Sequence, residues 1–332
     1  MPATNHKLTT EEMARFVADG YLRFDALIPE AINQPIIEEL RALESNKINQ
    51  IFGQPADAGG PPRPASLTPL SQCYPAPSLL GAMLNLPEVQ GIIESLVGPD
   101  PLFDHDFVHR LPAGSTYHQH LHVDAVVDSG DPTFDIQLFY FPHAVAPGAG
   151  GTRFVPATHL RRTRAEGVSR YQHLLGEQQY SGVDGTLMVF HHGLWHAGQP
   201  NPSDVDRWMY KIRLNPRVSQ VKRWNTDDFE RIHNDASDHT FALMRHDSVA
   251  QILRTMQPWQ KGHESRYEQM QRARLWRYLS NDPGFDVDYY HTRIEQRGRI
   301  AGEQRCCPSG SKFCTSGWRR ARSTMPRWAG RS

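Results

Sequence analysis

Long apolar runs are missing from this 332-residue chain. None approaches the 18 or more residues that a membrane-spanning helix needs, and the opening Met-Pro-Ala-Thr-Asn-His lacks a basic-then-apolar leader. These absences argue against a membrane-bound or secreted protein and predict a cytoplasmic one. Cysteine is scarce, with four residues and no CxxC pair. Cys73 stands alone in the body, while Cys306, Cys307 and Cys314 lie near the C-terminus, a spacing that does not build a zinc site. The adjacent pair is expected to stay reduced. A phosphate-binding glycine loop and an internal repeat are both absent. Lys and Arg are scattered through the body rather than clustered, which excludes the footprint of a nucleic-acid binder. The formal net charge is zero but unevenly spread. Residues 305–332 carry Arg305, Lys312, Arg319, Arg320, Arg322, Arg327 and Arg331 and no acid, so the rest of the chain is net acidic. Residues 301–332 therefore read as a disordered basic extension, with a weak anion-binding arm as the alternative.

What remains is a globular composition, 39% hydrophobic and 10% aromatic, with 17 histidines. The decisive feature is His122-Val-Asp124. On an extended strand, residues separated by one position leave the same face, so one strand end presents both side chains to one ion. Two neutral imidazoles and a carboxylate on one face of an octahedral metal leave three positions open, the arrangement of non-haem Fe(II) oxygenases. Those positions can take a bidentate 2-oxo acid and O2. The third ligand must come from elsewhere, and His196, beyond the apolar run Gly185-Thr-Leu-Met-Val-Phe190, is placed to supply it. A 2-oxoglutarate cosubstrate also needs its far carboxylate neutralised, best by a guanidinium. Arg207, eleven positions after His196, opens the strand-like Trp208-Met-Tyr-Lys-Ile-Arg-Leu214. Competing patterns exist. His233-Asn-Asp235 is a second His-x-Asp, and His263 precedes Arg274 by the same eleven positions. Residues 264–279, however, read as a charged helix that would leave Arg274 on a solvated surface. His118 and His120 share the face of His122, but a ligand pair starting at His120 would need Asp where His122 stands. His191 and His192 are read as supporting or surface residues.

Four stretches in order resemble the phytanoyl-CoA dioxygenase-like family of Fe(II)/2-oxoglutarate oxygenases. They are Leu8-Thr-Thr-Glu-Glu-Met-Ala-Arg-Phe-Val-Ala-Asp-Gly-Tyr-Leu-Arg-Phe24, Gln119-x-x-His122-x-Asp124, Gly150-Gly-Thr-Arg-Phe-Val-Pro156-Ala-Thr-His159, and His196 followed by Asn201, Ser203 and Arg207. The resemblance spans residues 8–214. This chain departs from the family's usual Gly-Ser in carrying Ala157-Thr158, and it has His191-His192 ahead of the distal His. The resemblance implies a mainly β fold, a double-stranded β-helix (jelly-roll, cupin-like) core buttressed by N- and C-terminal helices. It implies Fe(II) held by His122, Asp124 and His196, 2-oxoglutarate paired with Arg207, and consumption of O2. The related halogenases lack the carboxylate ligand, so Asp124 argues for hydroxylation of an unactivated C–H bond with release of succinate and CO2.

The pattern along the chain suits one domain over residues 1–300, with a motif-bearing core at about 100–215 and a helical part at about 227–300. Thr9 and Glu12 form a capping box for a helix ended by Asp19-Gly20, and residues 21–24 then read as a strand. Residues 29–46 follow as an amphipathic helix with Ile32, Ile36, Ile37, Leu40 and Leu43 on one face. Residues 53–64 are too rich in Gly and Pro for either regular element and read as a loop that covers the site. Residues 87–97 predict a helix, 102–110 a strand, and 134–141 a strand with Gln137, Phe139 and Phe141 on one face. Gln137 is a candidate cosubstrate contact or, equally, a core amide satisfied by backbone. Tyr117, Phe139, Tyr140, Phe141 and Trp195 form either an apolar substrate wall or core. The expected partner is a small molecule, with neither nucleic acid nor membrane. A metal-dependent hydrolase and a non-catalytic small-molecule-binding barrel remain the alternatives.

Overall fold

Local rules account for how the chain enters its fold in the computed structural model. Helix α1 (Thr10–Asp19) opens on a capping box in which Thr9 Oγ1 accepts from the Glu12 N–H at 3.2 Å while the Glu12 carboxylate accepts from the Thr9 N–H at 2.8 Å. Gly20, at φ +80°, ends the helix by donating to the Phe16 carbonyl. A β-carbon at Gly20 would also lie 2.4 Å from His159 Nδ1. The elements that follow are β1 (Tyr21–Phe24), α2 (Glu30–Glu44), α3 (Leu70–Cys73), α4 (Leu79–Leu84), α5 (Pro87–Val97), β2 (Leu102–Leu111) and β3 (Ile136–Phe141). Next come β4 (Arg153–Phe154), α6 (Ala165–Val168), β5 (Gln178–Gln179), β6 (Thr186–His191), β7 (His196–Ala197) and β8 (Arg207–Asn215). Helices α7 (Phe229–His233), α8 (Val249–Arg254) and α9 (Glu264–Ser280) complete the series.

The structure describes residues 6–44, 64–75, 77–124, 131–163, 165–171, 173–233, 248–260, 264–285 and 287. They fall within the compact unit Met1–Arg293. Nearly all of the Gly/Pro-rich loop at 53–64, as well as Asp235, His263 and the basic residues 301–332 with Cys306, Cys307 and Cys314, lie outside the described residues. Among the described residues no helix is long and apolar enough to cross a membrane.

Two antiparallel sheets form the centre. The larger has strand order β1-β6-β3-β8-β2 and the smaller β5-β4-β7. Strand alternation divides their side chains between separate layers. On β8, Trp208, Tyr210, Ile212 and Leu214 point to the helices and join Leu138 and Tyr140 of β3 and Leu187 and Val189 of β6. Phe16 and Val17 of α1, Ile92 and Leu96 of α5, and Trp276 of α9 belong to the same core cluster. Between the sheets lies a second cluster built from Phe139, Phe141, Met188, Phe190 and Met209, closed by Phe154 and Tyr180. Leu121, Val155, Val168, Trp195 and Ala197 make a third.

Two expectations need correction. The ligand-bearing stretch is not a regular strand: only His122 makes a β-bridge, to His196, and Asp124 sits in a bend. Helix α9 is not a solvated surface helix either. It buries Ala273, Leu275, Trp276 and Leu279, with Arg272 and Arg277 threaded among them, and Arg274 is half-buried. Arg272 reaches back to the carbonyls of Leu253 at 3.0 Å and Thr255 at 2.5 Å, so in this helix charged residues serve packing.

Candidate metal centre and its cavity

His122 and His196 face one another because their backbones do. Each donates its N–H to the other's carbonyl at 3.0 Å, which holds the two imidazole centroids 4.5 Å apart. Further backbone bonds fasten the same two segments: Gln119 N–H to Gly198 O at 3.0 Å and Asn201 N–H to Ser115 O at 2.8 Å. The Gln119 side chain adds another, its Oε1 accepting from the Gly198 N–H at 2.9 Å. Asn201 then ties the connection to β8, its amide donating to the carbonyls of Leu111, Pro112 and Val205, while Ser203 Oγ donates to Asn201 Oδ1. Behind β7, Thr158 Oγ1 donates to Val155 O at 2.7 Å and accepts from the Trp195 N–H at 3.0 Å. His159 Nε2 bonds the Val17 carbonyl at 3.1 Å, locking the turn to α1. Gly151 permits the close approach on the other side, since a β-carbon there would lie 1.8 Å from Tyr180 O.

The resulting triad has the chemistry of a metal site. Ligand atoms of His122, Asp124 and His196 all lie within 4.8 Å of one another. The closest pairs are His122 Nε2 to Asp124 Oδ1 and His196 Nε2 to Asp124 Oδ2, both 3.5 Å, near the roughly 3 Å expected of cis donors about 2.1 Å from one ion. Each imidazole spends its Nδ1 on a carbonyl, His122 on His120 O at 3.0 Å and His196 on Leu194 O at 2.9 Å. Both Nε2 lone pairs therefore point to the centre, the tautomer a metal ligand requires. Burial holds the His196 pKa down to about 3, so its ring is neutral and ready to ligate. Burial alone would raise the Asp124 carboxyl, but His196, His122 and Lys211 together hold it well below the usual carboxylate range. Because His196 is itself uncharged at neutral pH, the adjacent Lys211 ammonium is the main stabilising charge there. Asp124 Oδ2 accepts from Lys211 Nζ and from Gln137 Nε2, the latter at 2.6 Å.

Beside the triad opens a cavity of about 300 Å³ whose wall includes His122, His196, Phe139, Met209, Lys211 and Arg207. Arg207 is only 6% exposed, and its Nε and Nη1 have no hydrogen-bond partner. Burial pulls its pKa down to about 10. The nearby Asp206 does not neutralise it, because both of its oxygens are engaged by Arg110 and the Ala113 N–H. A buried guanidinium without an anion is costly, and this one lines the same cavity as His122 and His196, two of the three metal-type donors. The donor set thus fits a divalent ion, and the orphaned N–H groups fit a carboxylate.

The structure brings His122, Asp124, His196, Arg207 and Gln137 to one place. Gln137 touches Asp124, with its Oε1 buried and unpartnered, rather than resting on backbone. Of the five aromatic candidates, Phe139 and Tyr117 line the cavity. Tyr140 points to the helix side and donates to Asn33 Oδ1, Phe141 stacks on Tyr180 in the inter-sheet core, and Trp195 is buried in the third cluster. His191 and His192 are buried, stacked on one another at 4.5 Å, and lie outside the candidate group of His122, Asp124 and His196. Reading the sequence missed Lys211 and His109. Both follow from alternation: Lys211 is four positions from Arg207 on one strand, and His109 pairs across to Met209 between them. His109 is held at a pKa of about 4, first by burial and then by Lys211 and Arg207.

Neither a family model nor a curated protein matches this chain. Solved structures do. A non-heme monooxygenase, ThoJ in its nickel complex, aligns over 62% of this chain and 77% of its own at 20% identity and a TM-score of 0.45. EctD from S. alaskensis, with 2-oxoglutarate and 5-hydroxyectoine, aligns over 65% of this chain and 78% of its own at 15% identity and a TM-score of 0.48. SnoK, a non-heme alpha-ketoglutarate-dependent carbocyclase from nogalamycin biosynthesis, aligns over 65% and 87% at 18% identity and a TM-score of 0.45. Likeness at that level assigns no chemistry, which rests on the site itself.

Proposed function

We propose that this protein is an Fe(II)- and 2-oxoglutarate-dependent dioxygenase of the phytanoyl-CoA dioxygenase-like kind, hydroxylating an unactivated C–H bond of a small organic substrate. The observation that carries the reading is one cavity lined by both His122 and His196, the two histidines grouped with Asp124, and by the buried Arg207, whose Nε and Nη1 have no partner. The order β2-β8-β3-β6 in the larger sheet, with the His122–His196 bridge continuing the order β7-β4-β5 in the smaller, supports a double-stranded β-helix.

When bound, iron with 2-oxoglutarate and O2 supplies the oxidising power for the C–H bond and releases succinate and CO2. The chain's own residues hold and orient. His122, Asp124 and His196 would occupy one face of the ion and leave the other open toward the cavity. Lys211 and Gln137, by engaging Asp124 Oδ2, favour a single carboxylate oxygen turned to the metal. Arg207 would receive the far carboxylate on its free N–H groups in two-pronged geometry. Phe139 and Met209 line the space between and keep water out. Metal-assisted hydrolysis does not require a buried guanidinium, whereas a dicarboxylate cosubstrate does, which favours the oxygenase reading over that alternative.

The test needs no substrate. Fe(II) and then 2-oxoglutarate are added without oxygen, and the visible charge-transfer band of the chelate is recorded. The band is expected in the wild type and absent in His122→Ala. Folded, iron-loaded wild-type protein with no band would overturn the proposal.

A further inference from the structure

The cavity holds one cation more than iron and 2-oxoglutarate account for. Arg207 has its counterpart in the cosubstrate's far carboxylate. A divalent ion is balanced by Asp124 and the carboxylate next to the keto group. Lys211, 7% exposed, then keeps its bond to Asp124 Oδ2 but is no longer neutralised, because one Asp124 charge cannot balance both the ion and the ammonium. Its own strand and β3 carry no acid, and of the two on β2 Asp104 is taken by Arg213 while Asp106 accepts from the Tyr74 and Tyr210 hydroxyls. Its cross-strand neighbours on β2 and β3 are Phe107 and Phe139, with Nζ 5.5 Å from the Phe139 ring centroid. The other cations nearby are already matched. Arg213 pairs with Asp135 at 2.5 Å and Asp104 at 3.3 Å, and Arg110 with Asp206 at 2.6 Å. Among the described residues lining the cavity there is no Asp or Glu. His109, neutral at pH 7, adds no charge of either sign.

We propose that Lys211 is the recognition group for an anionic substrate, and that this substrate is a small organic carboxylate whose apolar part lies against Phe139, Met209 and Leu111. The inference rests on the iron and 2-oxoglutarate reading. The substrate R–H, bearing a carboxylate, would be converted with 2-oxoglutarate and O2 to R–OH, succinate and CO2. A cavity of about 300 Å³, at the low end for ligand pockets, suits a compact acid rather than a large conjugate. An ammonium lying over the Phe139 ring beside the metal-type donors would place the acid's carboxylate near the open coordination face. An acid's uncharged amide would leave the ammonium's charge unbalanced, so the site discriminates by charge as well as shape.

The experiment uses full-length protein, anaerobic, at saturation with Fe(II) and 2-oxoglutarate as judged by the chelate band. Butyrate is titrated in, with butyramide as the uncharged control. Binding is read from the shift of that band and independently by calorimetry. Butyrate is expected to bind at least tenfold more tightly than butyramide in the wild type. That preference should vanish in Lys211→Met and return in Lys211→Arg, each variant brought to saturation by its own band. Equal binding of acid and amide by the wild type, or undiminished butyrate preference in Lys211→Met, overturns the proposal. So does butyrate that merely displaces 2-oxoglutarate and abolishes the band. A wild type that gives no band at all fails earlier, at the iron and 2-oxoglutarate reading, and takes this inference with it.

Discussion

The two faces of strand β8 are built by opposite rules. Toward the helices it presents Trp208, Tyr210, Ile212 and Leu214, nearly all carbon and part of one core cluster with residues of α1, α5 and α9. Toward the smaller sheet it presents Arg207, Met209, Lys211 and Arg213, three cations within seven residues, one of them with buried N–H groups that nothing satisfies. The first face supplies stability through area removed from water. The second gives some of it up, since a buried unpaired cation is tolerated only where a ligand completes it. One strand thus separates what holds the fold from what binds.

Substitutions on the two faces should therefore have opposite consequences. Ile212→Ala, at a fully buried position on the helix side, is expected to cost about 2–5 kcal/mol in denaturant unfolding while the iron and 2-oxoglutarate chelate still forms. Loss of the chelate in folded Ile212→Ala would break the separation. Acid should act on the packed region too. Burial, with Arg272 next in effect, holds His159 at a pKa of about 3, and burial likewise keeps His191 well below 6.5. Both are neutral when folded, whereas the unfolded chain takes up these protons near pH 6.5. Stability is then fully present above pH 6.5 and is lost as pH falls toward 3, by up to about 1.4 kcal/mol per pH unit for each histidine. Melting curves between pH 7 and 4 should show a shallower decline in His159→Gln than in the wild type; identical slopes would contradict the assignment. On the cavity face, Arg207→Met should raise the unfolding free energy by about 1 kcal/mol, because it removes unsatisfied buried donors. A clear destabilisation would mean that Arg207 is structural. The smallest effect is expected at Ala157, which sits at φ +65° where the resembling family carries Gly. Ala157→Gly should stabilise by up to about 1 kcal/mol, read as a small rise in melting temperature.

Much of this was legible along the chain, and the failures have physical reasons. The capping box at Thr9 and Glu12, the Gly20 stop and the extents of α5, β2 and β8 are set by residues close in sequence. The facing of His122 and His196 is a tertiary pairing, and the segment carrying Asp124 bends after one bridge, so alternation gave the right residues through an inexact geometry. Tyr140 was placed with Phe139 and Phe141 by proximity to the motif, although a period of two sends it to the helix side. Lys211 escaped notice because a lysine inside an apolar strand reads as an interruption, when its even spacing from Arg207 already placed it on the cavity face. The solvated reading of α9 failed because Arg272 and Arg277 are buried on carbonyl partners that charge patterning does not reveal.

The most direct test compares two 2-oxo acids that differ only in the far carboxylate. Affinities of Fe(II)-loaded protein for 2-oxoglutarate and 2-oxobutyrate are measured anaerobically in the wild type and in Arg207→Met. The wild type should prefer 2-oxoglutarate by about 10–100-fold, the worth of a charge-assisted pair, and the variant should show no preference. Equal affinities in the wild type, or a preference that survives in Arg207→Met, would contradict the assignment of this cavity to a dicarboxylate cosubstrate.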